Sequence, residues 1–335
     1  MKAYVIGEGS GLEALTLIER DVPKPGPGEV LVRMKANSIN YRDLLTIKNA
    51  GARGITDQRI PNSDGAGVIE AVGEGVTRYQ AGDRVVGCFF QNWVSGPITE
   101  KTMLSALGGP IDGVLAEYVV LKEQGVLPIP DSLSFEQAAT LPCAAVTAWN
   151  CLIEKGEAKA GDTALLLGTG GVSIFAQQIA KFCGIQTIVT SSSDEKLARV
   201  KKLGARTLIN YRDQPEWENA VLDATNGRGV DVVIEVGGAG TLAKSVEAVR
   251  IGGTVSLVGV LTGGTIDPTS IMRKSVKLQG IYVGPQDMFA RLIRAIDYNE
   301  LNPVIEETVA FDEAKDAYRL MESGQHFGKI VIAFS

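Results

Sequence analysis

Along the first 128 residues the apolar positions come in short runs, Val30 to Lys35, Gly65 to Val76 and Asp83 to Cys88. Each is closed by turn residues such as Pro25-Gly26-Pro27-Gly28 and Ala81-Gly82-Asp83. Short runs punctuated by glycine and proline predict β-strands, here assembled into a small twisted barrel. From Ser134 to Glu154 the spacing turns helical, with Ser134 as the cap and Leu141-Pro142 as an interruption. Beyond it strands and helices alternate. Thr163 to Leu167, Gln186 to Thr190, Thr207 to Asn210, Val230 to Glu235, Thr254 to Val260 and Lys277 to Val283 read as strands. Val172 to Phe182, Asp194 to Leu203 and Leu242 to Val249 read as amphipathic helices. Continuous apolar strands alternating with helices predict an α/β region with a parallel sheet covered on both faces. A last helix, Met288 to Tyr298, leads to a β-type tail ending Lys329-Ile330-Val331-Ile332.

The length, 335 residues, favours two domains over one. Hydrophobic residues make up 45% and charged residues 21%, so the chain can bury a large core and is not disordered. The net charge of −6 is scattered, with no basic run to follow a phosphate backbone, which argues against a nucleic-acid partner. Four cysteines, Cys88, Cys143, Cys151 and Cys183, never occur as CxxC, and a reducing cytoplasm is the expected compartment. No leader-like start and no long apolar segment is present, so neither export nor membrane insertion is expected. His326 is the only histidine, which leaves little room for histidine-based catalysis.

The sharpest motif is Leu167-Gly168-Thr169-Gly170-Gly171-Val172-Ser173, which follows a buried strand and opens a helix. Gly168 permits the tight turn and Gly170 lets backbone approach a pyrophosphate. The helix amino terminus, from Gly171 and Val172, offers unpaired N–H groups to the anion. The third glycine of this pattern is replaced by Ser173. Glycines that only shape a turn, or the glycine turn of a methyltransferase sheet, are the alternatives, and the next strand arbitrates. An NAD site places an acid about 20 residues downstream, where this chain carries Ser191, Ser192 and Ser193, with Lys196 one turn on. Hydroxyls and a cation suit a 2′-phosphate, so NADP is the expected cofactor. Tyr211 and Arg212 are placed to close over the same group. The competing reading is that the serines cap a helix while Lys196 is solvated.

These residues, with Gly65-Ala66-Gly67-Val68, Val72-Gly73-Glu74-Gly75-Val76, Gly82-Asp83-Arg84-Val85, Leu141-Pro142-Cys143 to Thr147-Ala148-Trp149 and Glu235-Val236-Gly237-Gly238, resemble the medium-chain dehydrogenase/reductase superfamily over nearly the whole chain. Within it the sequence is similar to the zinc-free branch of quinone oxidoreductases and zeta-crystallin-like proteins. The resemblance implies a GroES-like β-barrel catalytic domain, residues 1–128 with 288–335 returning to it, and a doubly wound Rossmann domain, residues 129–287, with the active site in the cleft. It also implies a homodimer, for which the apolar Ile281 to Val283 is the expected edge. Zinc-dependent members use a cysteine in the first active-site loop and a Gly-His-Glu triplet. The matching places here are Asn40-Tyr41-Arg42-Asp43 and Ser63-Asp64-Gly65, and the four-cysteine lobe is replaced by Phe89 to Gly109. Zinc needs clustered thiolate, imidazole or carboxylate ligands, so a metal-free mechanism is expected, with Cys143 and Cys151 as core residues.

Without a metal, hydrogen-bond donors must stabilise the oxygen that gains charge. Asn40 and Tyr41 are the first choices and Arg42 the third, although Arg42 and Asp43 also read as a local ion pair. Asp64 lines the cleft. Phe89, Phe90 and Trp93 form either an apolar wall for a flat acceptor or ordinary core. By resemblance Thr147 approaches the cofactor, as do the strand ends Val236-Gly237, Gly259-Val260-Leu261 and Ile281-Tyr282-Val283. Lys329 is expected to reach the pyrophosphate or to be a solvated strand lysine. The expected reaction is hydride transfer from NADPH to a quinone or α,β-unsaturated carbonyl. The alternatives are an NAD(P)-dependent alcohol or aldehyde dehydrogenase, and a non-enzymatic cofactor-binding protein.

Overall fold

A computed structural model describes residues 1–55 and 57–334. The chain forms two compact units, Met1–Val146 with Gly284–Ser335, and Thr147–Val283. The borders expected at 128/129 and 287/288 therefore lie at 146/147 and 283/284. The Phe135–Ala139 helix accounts for the first difference, because it packs on the Glu29–Ile39 and Asp64–Val72 strands of the first unit.

The first unit is built on a seven-stranded sheet. Its path runs Ile305–Ala310, Lys329–Ala333, Glu29–Ile39, Asp64–Val72, Arg84–Gly87 and Val126–Pro128, with Tyr118–Lys122 also paired to Glu29–Ile39. Its core gathers Leu15, Val30, Ile39, Ile69, Leu115, Tyr318 and Ile332. The last strand runs antiparallel to Glu29–Ile39, pairing Ile330 with Ile39. That register brings Lys329 to the amino end of the Tyr41–Lys48 helix, although the two lie nearly the whole chain apart in sequence.

The second unit carries a six-stranded, wholly parallel sheet. Its spatial order is Thr207–Asn210, Gln186–Ser191, Thr163–Leu167, Val230–Glu235, Val249–Leu257 and Lys277–Gly280. In chain order this is 3-2-1-4-5-6, the doubly wound arrangement, whose reversal lies between the first and fourth strands. Leu165, Ile188, Val233, Val246 and Val255 pack in its core. Two strands end earlier than their apolar runs predict. The fifth ends at Leu257, leaving Val260 and Leu261 exposed beyond it. The sixth ends at Gly280, so Ile281 to Val283 do not form the sheet edge; Lys277–Gly280 does. Val283 itself takes a left-handed backbone, φ +53°, outside the strand region. No helix among the described residues is long and apolar enough to cross a membrane.

Candidate active site

The glycine turn sits at the carboxyl end of Thr163–Leu167. Gly168 adopts φ +73°, and its N–H donates to the Thr190 carbonyl at 2.9 Å, tying the turn to the neighbouring strand end. Gly170 caps the Gly171–Phe182 helix and contributes no side chain, so the first-turn amides of Gly171, Val172 and Ser173 meet no capping acceptor. A Cβ added at Gly168 or Gly170 would meet nothing within 4 Å. The two glycines thus leave open backbone where an anion can approach. Ser173 is buried, and its hydroxyl donates to the Leu167 carbonyl at 2.7 Å. A hydrogen bond between helix and strand thereby takes over the close-packing role of the third glycine.

At the end of Gln186–Ser191 no acidic side chain is present, and Ser191 is buried. Its Oγ accepts from the Ser193 N–H at 3.3 Å, and Ser193 Oγ accepts from the Lys196 N–H at 3.3 Å as the cap of the Asp194–Lys202 helix. Two of the three serines therefore do cap the turn, while Ser192 and the Lys196 side chain are partly exposed beside it. Tyr211 is exposed, with its N–H on the Ser191 carbonyl at 3.0 Å. Asp194 points elsewhere, accepting from Asn210 at 2.8 Å.

Across the sheet reversal, Glu235 organises the second rim. Fully buried at a strand end, its carboxylate accepts from the N–H groups of Gly237 (2.7 Å) and Gly238 (3.0 Å) and from the Thr241 hydroxyl (2.6 Å). The Val258 and Gly259 N–H groups donate to its carbonyl at 2.9 Å. This residue fixes the loops that carry Val236, Gly237, Val260 and Leu261, a role sequence reading missed. The available signal was a carboxylate ending the apolar run Val230-Asp231-Val232-Val233-Ile234. Thr147 is buried on a helical turn of the same unit, and Tyr282 is exposed.

The first unit gathers the oxygen-binding candidates. Asn40 caps the Tyr41–Lys48 helix, its backbone N–H held by Asp43 Oδ2 at 2.9 Å. Lys329 is buried, and its Nζ donates to the Ile39 carbonyl (2.9 Å) and Asn40 Oδ1 (2.5 Å), 3.9 Å from Asp64 Oδ2. The ammonium is committed within this unit and is not turned out as a phosphate ligand or a solvated lysine. Asn40 Nδ2 is buried and meets no acceptor in full hydrogen-bonding geometry, while the Asn40 amide helps to hold the Asp64 carboxyl down. Asp64 accepts from the Ser63 hydroxyl (2.7 Å) and the Cys143 N–H (3.2 Å). Burial pushes its carboxyl up, opposed by the Lys329 ammonium. Burial likewise raises Asp43, opposed by Arg42. Burial, then the Asp64 charge, hold the Cys143 thiol well above its ordinary range.

Three groups of expected site residues are placed as follows. Arg42 is an architectural residue: its guanidinium binds Asp43 at 3.0 Å and the Leu107 carbonyl at 2.7 Å and lies 5.0 Å over the Phe89 ring. Phe89, Phe90 and Trp93 are buried against one another, edge to face, with centroids 4.7 and 5.4 Å apart, the packing of core aromatics. Tyr41 is 40% exposed. Among the described residues no group of three or more His, Cys, Asp or Glu is arranged to hold a metal ion.

Comparison with known proteins agrees with this architecture. The family model for the alcohol dehydrogenase GroES-like domain matches residues 26–131, and that for zinc-binding dehydrogenases matches 171–297. A zinc-type alcohol dehydrogenase-like protein of Schizosaccharomyces pombe is 44% identical over 98% of this chain and 98% of its own. The quinone oxidoreductase of Rattus norvegicus is 28% identical over 99% and 97%. A solved structure from Sinorhizobium meliloti 1021 superposes with a TM-score of 0.93 at 41% identity, covering 99% of this chain and 98% of that one. With the 3-2-1-4-5-6 sheet and its open glycine turn, these likenesses establish the chain as an oxidoreductase of the medium-chain dehydrogenase/reductase superfamily, which works with nicotinamide coenzymes.

Proposed function

We propose that the protein is an NADPH-dependent reductase of quinone-like or α,β-unsaturated carbonyl compounds that works without a catalytic metal. The observation that carries this reading is the donor set around Asn40. Where a zinc enzyme needs a cluster of soft or anionic ligands, this chain supplies the Asn40 amide, a thiol held protonated and a single carboxylate, Asp64, which the Ser63 hydroxyl and the Cys143 N–H already engage beside the buried Lys329 ammonium. One committed carboxylate does not suit zinc, which takes three or four ligands from thiolate, imidazole and carboxylate. The donor set suits stabilising negative charge on oxygen. Lys329 polarises the Asn40 carbonyl, which strengthens the amide N–H as a donor, and Asn40 Nδ2 has no completed hydrogen bond in the protein. Tyr41, on the exposed side of the same helix start, adds a phenol.

Bound NADPH supplies the hydride. The glycine turn would hold the pyrophosphate through the N–H groups of Gly171, Val172 and Ser173. Ser191, Ser192, Lys196 and Tyr211 would receive the 2′-phosphate, since an acid is absent from the strand end. Thr147, Val236, Gly237, Val260, Leu261, Tyr282 and Val283 line the remainder of the coenzyme. Charge that spreads over a conjugated acceptor needs only neutral donors, which favours enones and quinones over simple ketones.

The test is a panel of one quinone, one enone and one aldehyde with NADPH and with NADH. Turnover of the first two, preferentially with NADPH, is expected, and activity confined to the aldehyde would overturn the assignment. The fission-yeast relative favours that second reading, an NAD(P)-dependent alcohol or aldehyde dehydrogenase. A homodimer through the Lys277–Gly280 edge is part of the proposal, because Ile251, Met272 and Leu278 are exposed in the same unit. Sedimentation as a monomer at micromolar concentration would refute it.

A further inference from the structure

Val283 is the last residue of the nucleotide-binding unit and one of its few non-glycine residues with a left-handed backbone, φ +53°. A β-branched side chain there crowds the adjacent peptide, and such a conformation persists only where surrounding structure enforces it. Two features do so. The Val283 side chain is buried, and its carbonyl accepts from Asn150 Nδ2 at 2.6 Å, across 133 residues of chain. The preceding segment is anchored by the Ile281 N–H, which donates to the Leu257 carbonyl at 2.9 Å. The Asn150 bond therefore sets the direction of the chain just after the sheet, at the carboxyl end where an open α/β sheet binds its ligand.

Asn150 is not an ordinary core amide. It is buried, yet its Oδ1 accepts no hydrogen bond in the protein. With its acceptor unmatched, the amide is held by its donor side, the bond to the Val283 carbonyl. Asn150 also lies three residues after Thr147, the spacing that puts two side chains on one helical face. At Asn150 the helix changes from Val146–Trp149 to a π-turn over Asn150–Glu154, a feature that recurs beside functional sites.

We propose that Asn150 is a positioning residue for the nicotinamide end of the coenzyme: it holds Val283 in its left-handed conformation, so that the backbone there meets the carboxamide of the ring. This rests on the NADPH reading above. Asn150 acts through Val283 and takes no part in hydride transfer itself. The consequence is selective: loss of the Asn150 amide should loosen the ring end of the coenzyme and leave the adenosine end alone.

Calorimetric dissociation constants for NADPH and for 2′-phosphoadenosine 5′-diphosphoribose, which lacks the nicotinamide ring, test this with Asn150→Leu and the smaller Asn150→Ala. Each variant is made alone and with Val283→Gly, and melting temperatures check folding. NADPH affinity should fall about tenfold, the size of one hydrogen bond, with the fragment changed by less than about twofold. Because glycine adopts the left-handed region freely, the penalty of either Asn150 substitution should shrink to roughly threefold or less beside Val283→Gly, a coupling that a double-mutant cycle reads directly. Equal weakening of NADPH and fragment, or a penalty that glycine does not relieve, would overturn the proposal. If the unmodified protein bound neither ligand, the coenzyme reading itself would fall. Binding of both, with the Asn150 variants unchanged, would overturn only the role of Asn150.

Discussion

Gly170→Ala separates a turn that merely folds from a turn that binds. Gly170 has φ −78° and ψ −176°, extended backbone open to any residue, and an added Cβ meets nothing within 4 Å. Alanine there reduces the freedom of the unfolded chain, which stabilises by about 0.4–1 kcal/mol, and is a poorer helix cap than glycine, which costs a similar amount. The two roughly offset, so the melting temperature should move by less than about 4 °C. The added methyl projects from the backbone that a pyrophosphate must approach. Displacing one or two charge-assisted hydrogen bonds costs about 2–4 kcal/mol, or roughly 30- to 700-fold in affinity. Differential scanning fluorimetry and NADPH titration on the same preparation give both quantities. An unchanged melting temperature with NADPH affinity within about threefold of the parent would refute the assignment of this turn to the pyrophosphate, since one lost charge-assisted contact exceeds that.

Other substitutions probe neighbouring parts of the account. Lys196→Ala should weaken NADPH about tenfold and NADH by much less, because only the former carries the 2′-phosphate; equal losses would move the phosphate site elsewhere. Ser173→Gly restores the full glycine pattern but removes the hydrogen bond to Leu167, so chemical denaturation should show a loss of about 1 kcal/mol with no gain in affinity. Asp231 lies at the opposite, amino-terminal end of the sheet. Although burial pushes its carboxyl up, Arg228, the Thr163 N–H and Arg250 outweigh it and bring the value down to about 2. A carboxyl depressed by folding stabilises above its unfolded value and loses that contribution as the pH falls through the folded one. The unmodified protein should therefore exceed Asp231→Asn by about 2 kcal/mol at pH 7, with the gap closing between about pH 4 and pH 2. A gap that stays constant with pH would contradict this.

The parallel sheet and the glycine turn were legible in the sequence because both are local: apolar runs alternate with helical spacing, and the turn lies between one strand and one helix. The meeting of Lys329 with Asn40 was not legible. It depends on the register of two apolar strands almost 300 residues apart, Ile330 opposite Ile39, and an unbroken apolar run carries no mark of its register. Val283 misleads in the other direction. Valine favours strands, yet its carbonyl bond to Asn150 and its buried side chain hold it left-handed. Phe89, Phe90 and Trp93 could serve as core or as wall on sequence alone, and only their mutual burial decides for core. For Arg42, proximity to Asp43 was visible, whereas the Leu107 carbonyl and the Phe89 ring that complete its surroundings were not.

The central claim is that hydride passes from NADPH to a conjugated acceptor with amide and hydroxyl donors in place of a metal. It is tested most directly by following deuterium from NADPH labelled at the transferring position of C4 into an enone, with the metal content of the same enzyme samples measured alongside. The account predicts that label appears in the product at a rate independent of bound zinc and unaffected by chelation. A rate that rises and falls in proportion to bound zinc would contradict it.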